Sequence, residues 1–142
     1  MRMAVCNMSE IKTLYEGKWL SLKEQEGYVF STETRCKGRI VSVLPFRQIV
    51  EGEKTNIEFL LRREVTLPWR GREQVISSIT GGIESEESVE DAVRELEEEA
   101  GYTIPKESMI FLGKSFGAKS SDTVYDFYTC DLTKAVKQDA KG

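Results

Sequence analysis

One amphipathic helix constrains this chain more than any other feature. Over residues 88–100, Val89, Ala92, Val93, Leu96 and Ala100 fall at i, i+3, i+4, i+7 and i+11. They make a single apolar stripe at the helical period. Ser88 with Asp91 three residues on reads as a capping box, and Gly101 as the stop. A helix that is apolar on one side only must be packed against another layer.

Strand patterns on both sides of the helix supply that layer. Residues 11–26 and 28–34 read as two arms of an N-terminal β-hairpin turning at Gly27. Residues 39–46 form a β-branched core strand ending near Pro45, and 51–54 a loop. Residues 57–65 make the next strand, Pro68-Trp69 a turn, and 73–80 a short strand that delivers the chain to Gly81-Gly82. Beyond Pro105, residues 109–116 and 123–132 read as strands joined by a polar loop, and 132–138 as the opening of a helix. Strands, one strong helix and further strands predict the α/β class, as a sandwich built on a mixed sheet. The expected layout is one domain over residues 11–142, with hairpin 11–36 and core 37–142, behind a flexible segment 1–10.

The helix carries an unusual charge. Glu95, Glu98 and Glu99 sit at i, i+3 and i+4, so their side chains are neighbours. Counted at 100° per residue, Glu95 and Glu99 lie beside the apolar stripe, at the margin of the core. All three occupy the last two turns, where the helix dipole disfavours anions. Each like-charge pair costs about 0.2–0.5 kcal/mol in an isolated helix. Arg94, four residues before Glu98, offsets only part of this. A bound cation would relieve the rest, and an all-oxygen ligand set favours a hard ion, Mg²⁺ or Mn²⁺. A solvated acidic face is the plainer alternative.

Composition removes several classes of function. The 142 residues contain no histidine, which excludes Ser-His-Asp and Cys-His catalysis and His-liganded zinc. Cys6, Cys36 and Cys130 are scattered and odd in number, which suits a reducing cytoplasm rather than a disulfide framework. Apolar runs are too short to span a bilayer, and residues 1–10 lack the apolar stretch of a signal peptide. Residues 84–99 hold nine acids and one base, whereas the net charge is −4. An acidic patch on a mildly basic body suits a polyphosphate bridged through a cation. It does not suit a nucleic-acid binder, which should show a basic stripe.

The run Arg94-Glu95-Leu96-x-Glu98-Glu99-x-Gly101-Tyr102, preceded by Gly81-Gly82, resembles the Nudix box. All fixed positions of the box's second half are filled. The first half is one residue short, since Arg94 lies seven positions after Glu87 rather than eight. The outer glutamate is therefore Glu86 or Glu87, and the backbone carbonyl that joins the metal is that of Thr80 or Gly81. Shorter motifs, Tyr15-Glu-Gly-Lys-Trp19-Leu-Ser-Leu22 and Leu60-Leu-Arg-Arg-Glu64 among them, look like the ADP-ribose pyrophosphatase branch.

What the resemblance implies is a Nudix-type α/β/α sandwich and a metal-dependent hydrolase of a nucleoside diphosphate linked to another group. ADP-ribose or a nucleotide sugar is the favoured substrate. Glu95, Glu98, Glu99 and the carbonyl of Gly81 would hold Mg²⁺ or Mn²⁺, and Arg94, Glu95 and Glu98 would form the catalytic set. The general base is left open: the ADP-ribose branch carries it in a loop well downstream of the box, which a shortened chain would lack, and Glu95 or, less favoured, Asp122 or Asp126 could serve instead. Arg62, Arg63 and Arg70 are candidates for phosphate, and Trp69 or Phe46 for stacking on the base. A weakly active nucleotide-binding module and a nucleoside-triphosphate house-cleaning enzyme are the alternatives.

Two further expectations concern packing. Trp19, Leu20 and Tyr28 are too apolar for a free hairpin and predict a homodimer. Only 41 residues follow Gly101, so the C-terminal layer is expected to be incomplete, leaving Phe127 and Leu132 poorly covered. The chain would then be a shortened form of such a domain, or a second copy would supply the layer, and turnover of ADP-ribose would be weak.

Overall fold

The structure, a computed structural model, describes residues 9–69 and 74–139. Its centre is a four-stranded sheet in the order β10 (Ile110–Phe116), β11 (Val124–Thr129), β4 (Arg39–Val43), β9 (Ile79–Gly82). β11 runs parallel to β4, while the outer pairs are antiparallel, so the sheet is mixed as expected. Register places Tyr128, Val43 and Ile79 in one row and Asp126, Val41 and Gly81 in the next. Alternation then sends these rows to one face of the sheet and Ser42, Thr80 and Phe127 to the other.

The helix α1 (Ser88–Ala100) lies on the first face. Ala92 and Leu96 are wholly buried against Val41, Val43 and Ile79, with Met109, Cys130 and Leu132 completing the core. Burying a leucine side chain of this kind contributes about 1.5–3 kcal/mol. Burial also pushes the Cys130 thiol up to about 12, which keeps it neutral.

Both ends of α1 are informative. Gly101 adopts φ 75° and its N–H donates to the Glu97 carbonyl at 3.0 Å, the left-handed stop that the sequence predicts. The capping box does not form. Glu87 is the N-cap and gives no side-chain cap bond. The Ser88 hydroxyl instead pairs with the Tyr128 hydroxyl at 2.7 Å, pinning the helix start to β11. Asp91 turns back to accept the Ser85 N–H at 3.0 Å.

Several strands divide where sequence reads them as continuous. Residues 11–26 form β1 (Lys12–Glu16) and β2 (Leu20–Gln25), because the Gly17 N–H donates to the Leu20 carbonyl at 3.0 Å and turns the chain. With β3 (Tyr28–Glu33) they make a three-stranded antiparallel sheet instead of a hairpin. β5 (Phe46–Glu51) pairs with β6 (Lys54–Phe59), and β7 (Arg62–Val65) with β8 (Gln74–Ser77). The expected strand 57–65 breaks at Leu60, whose N–H is drawn to the Pro45 carbonyl at 2.9 Å. The expected strand 73–80 breaks at Ser78, whose hydroxyl pairs with that of Ser42 at 2.7 Å.

The C-terminal expectation is corrected in two respects. Residues 132–138 form no helix; the Gln138 N–H donates to the Gly101 carbonyl at 2.7 Å and Lys137 bridges Tyr102. That path covers Leu132, which is buried, whereas Phe127 stays half-buried. Among the described residues one helical layer is present, on the α1 face. Phe127, Leu112, Ser42 and Ser78 line an open hollow on the opposite face.

The N-terminal sheet is clamped to the loop before β11. The Ser31 N–H donates to the Ser120 carbonyl at 2.8 Å, the Tyr28 hydroxyl to the Lys119 carbonyl at 2.9 Å, and the Thr32 hydroxyl to Asp122 at 2.7 Å. Leu14, Tyr15, Trp19, Leu20 and Tyr28 remain more than half exposed on this sheet. No helix among the described residues is long and apolar enough to cross a membrane.

Candidate active site

The paired glycines at the end of β9 are required by close approach on both sides. A Cβ on Gly81 would lie 1.9 Å from the Glu95 Cδ and 2.0 Å from its Oε1. A Cβ on Gly82 would lie 2.2 Å from the Cys36 Sγ. The Glu95 carboxylate therefore rests directly on the Gly81 backbone, where only glycine leaves room. This contact ties the glycine lead-in to the acidic helix in space.

Arg94 organises the cluster. One terminal nitrogen donates to the Gly82 carbonyl at 3.1 Å and to Asp91 Oδ1 at 3.2 Å. The other lies 2.8 Å from Glu95 Oε1 and 3.2 Å from Glu98 Oε2. A single guanidinium thus fixes the strand end, the helix start and two of the three glutamates. Glu99 is held from another element, with Arg62 Nη1 of β7 at 2.9 Å from its Oε2.

The three glutamates differ in environment. Glu95 is buried, and burial pushes its carboxyl above the usual range despite the opposing Arg94 guanidinium. Glu98 and Glu99 are partly exposed. Among the described residues no three acidic, cysteine or histidine groups converge as a finished cation site. The donor set nevertheless fits a hard divalent ion. Three carboxylates share one stretch of helix, the Glu95 carboxylate lies against the Gly81 backbone where a Cβ would not fit, and the cation now on Glu99 is the flexible Arg62 side chain.

The other sequence candidates are spread around this centre. Arg63 is exposed on β7 and lines a hollow of about 270 Å³ with Arg62, Glu99 and Lys137. Trp69 closes a one-turn 3-10 helix, Leu67–Trp69, but its side chain and all of Arg70 lie outside the described residues. Phe46 lines a separate hollow with Phe59 and Tyr102. Asp122 is committed to Thr32, and Asp126 is buried with Lys114 Nζ at 3.3 Å. Glu86 and Glu87 are both exposed, and Glu87 pairs with Lys106 at 3.3 Å.

The functional reading of the sequence passed over Asp91. Burial alone would raise its carboxyl, but the Ser85 and Glu84 amides and Arg94 outweigh burial and hold it below the usual range. Its folded pKa is thus lower than its unfolded one. The stabilisation it gives is complete above about pH 4, the ordinary aspartate value, and is lost as pH falls through the folded pKa. Asp91→Asn is expected to cost about 1–3 kcal/mol at pH 7, the penalty for weakening a buried charged acceptor. Urea unfolding should show that deficit shrinking in acid; a deficit constant from pH 7 to pH 3 would contradict this role.

Comparison with known proteins decides the family. The NUDIX domain family model matches residues 39–142. The chain belongs to the Nudix family of pyrophosphohydrolases. The matched span holds every strand of the central sheet as well as α1 and the glycine pair. A solved structure described as the crystal structure of an ADP compounds hydrolase superimposes with a TM-score of 0.67 at 19% identity. The match covers 95% of this chain and 70% of that one. At this identity the likeness establishes the shared α/β fold. No curated protein matches the chain.

Proposed function

We propose that this Nudix domain cleaves the pyrophosphate of a nucleoside diphosphate linked to another group, with ADP-ribose or a nucleotide sugar the favoured substrate and Mg²⁺ or Mn²⁺ required. The observation that carries the reading is the contact of Glu95 with Gly81, framed by Arg94, on a helix that also presents Glu98 and Glu99. The solved relative that shares this fold is described as acting on ADP compounds, which favours the same substrate class here.

The chemistry follows from charge. A diphosphate resists attack by water because it is already anionic. Glu95, Glu98, Glu99 and the Gly81 carbonyl would hold a divalent cation, which would supply charge screening and acidify the attacking water. Arg94 keeps Glu95 and Glu98 oriented from one guanidinium. Glu95 is the best proton acceptor of the set, because burial raises its carboxyl. Arg63, exposed beside Glu99, meets the outer phosphate oxygens, and Trp69 stands on the adjoining turn as the stacking residue.

Phosphomonoester release from a nucleotide panel, with and without Mg²⁺, tests the proposal. Release confined to nucleoside triphosphates would replace it with a house-cleaning role. Turnover equal in a chelator would remove the metal.

The exposed apolar side of the N-terminal sheet supports a second proposal, a homodimer formed through β1–β3. Sedimentation should show a dimer that dissociates when Trp19 and Leu20 are both changed to serine. A monomer at high concentration would contradict it. Two free cysteines among the described residues, Cys36 and Cys130, are consistent with a cytoplasmic location.

A further inference from the structure

We propose that Arg62 competes with the divalent cation for Glu99 and that Glu64 is the second seat of its guanidinium, so that β7 sets how tightly the acidic cluster holds its cation. The inference rests on the reading that Glu95, Glu98 and Glu99 take a divalent ion, and it adds a regulator that the family motif does not contain.

The two arginines at the cluster are held in different ways. Arg94 is anchored to a backbone carbonyl and to three carboxylates, so it is fixed whatever else binds. Arg62 has two charged partners among the described residues. Its Nη1 lies 2.9 Å from Glu99 Oε2, and its Nε lies 3.8 Å from Glu64 Oε2. The first is a close ion pair; the second is too long for a hydrogen bond.

Glu64 is prepared for a closer contact. Its other oxygen, Oε1, accepts the Ser77 hydroxyl at 2.8 Å, which keeps the carboxylate turned in place. Arg62 and Glu64 are two residues apart on β7, so both side chains leave the same face of the strand. Ser77 is the register partner of Arg62 on β8, which brings all three groups to one patch. Each of the two carboxylates and the guanidinium is about one-third exposed, so water can admit the exchange.

Competition then follows from electrostatics. A cation at Glu99 repels the Arg62 guanidinium, and the flexible arginine stem carries it the short distance to Glu64. Cation binding must therefore offset the loss of the Arg62–Glu99 pair, and the Arg62–Glu64 pair returns part of that loss. The cluster is held back from binding a cation too tightly, and the released guanidinium stays on β7 beside Glu64.

Mn²⁺ binding to the full chain, read by the electron paramagnetic resonance of free Mn²⁺ with no nucleotide present, tests this. Arg62→Met should tighten Mn²⁺ binding about fivefold, the size of one partly exposed ion pair. Glu64→Gln should weaken it, because Arg62 then stays on Glu99. Arg62→Lys should restore wild-type affinity. In the Arg62→Met background Glu64→Gln should have no effect, because Glu64 acts only through Arg62. Unchanged or weaker binding by Arg62→Met overturns the proposal. An undiminished Glu64→Gln effect in the double variant also overturns it, since Glu64 would then act by its own charge. A wild-type chain that binds no Mn²⁺ overturns both this proposal and the metal-dependent function. Wild-type binding with identical Arg62→Met affinity overturns this proposal alone.

Discussion

Gly81→Ala should abolish most of the hydrolysis and leave the chain folded. The added Cβ would fall within 2.4 Å of three side-chain atoms of Glu95, a separation that real contacts do not reach. The side-chain end of Glu95 moves more easily than the backbone of β9, which is paired with β4 through Val41. The carboxylate is therefore pushed off its seat and away from Arg94. Displacing a reacting or ligating group by about 1 Å costs on the order of 10²-fold in rate, and that is the expected loss in kcat. Stability should change little, because the apolar contacts of Ala92 and Leu96 are untouched. Gly82→Ala makes an informative contrast. Its Cβ meets Cys36 on the other side of the strand, so the turn at residues 35–38 must shift while Glu95 stays in place. Steady-state kinetics with thermal melts on both variants separates the two effects. Gly81→Ala activity within threefold of wild type would show that the Glu95 seat does not matter.

How much of this was legible in the sequence depends on how local the signal is. The helix was readable because its stripe repeats within 13 residues and its stop is a glycine that meets the left-handed requirement. The acidic cluster was readable for the same reason, since i, i+3 and i+4 on a helix are neighbours whatever the tertiary fold. The start of the helix was misread because Ser88 and Asp91 each found a stronger partner elsewhere. Ser88 bonds Tyr128, 40 residues away, and Asp91 satisfies loop amides that helical spacing cannot reveal.

Charge balance at the cluster shows the same limit. Helical spacing puts acids three and four residues from Arg94 on both sides, Asp91 and Glu98 among them, whereas the folded guanidinium also reaches the adjacent Glu95. Glu99 is neutralised by Arg62 from a strand more than 30 residues earlier, a pairing that no local pattern encodes. Strand boundaries failed where backbone donors were captured from outside the strand, as at Leu60 by Pro45. The burial of Leu132 likewise depends on residues 132–138 running in an extended path back to Gly101 and Tyr102, where sequence suggested a helix.

The second large effect falls on Glu99, and its measurement bears most directly on the claim that this helix binds a divalent cation to cleave a diphosphate. Glu99 lies outside the buried core cluster and is partly exposed, so Glu99→Gln should fold normally without Mg²⁺. Metal binding stabilises a native state that holds the ion and the unfolded chain does not, by about 2.7 kcal/mol when the ion is at 100 times its Kd. The wild-type thermal midpoint should therefore rise in millimolar Mg²⁺, and ADP-ribose should yield phosphomonoesters only when the ion is present. Glu99→Gln should lose most of the midpoint rise and about 10²-fold in hydrolysis, the scale for removing one electrostatic contributor to a transition state. Parallel melts and phosphomonoester assays of the two proteins, with Mg²⁺ and with chelator, give both readings from one set of samples. The account predicts that rise and rate fall together in Glu99→Gln; a wild-type midpoint indifferent to Mg²⁺, with hydrolysis that survives chelator and the substitution alike, would contradict it.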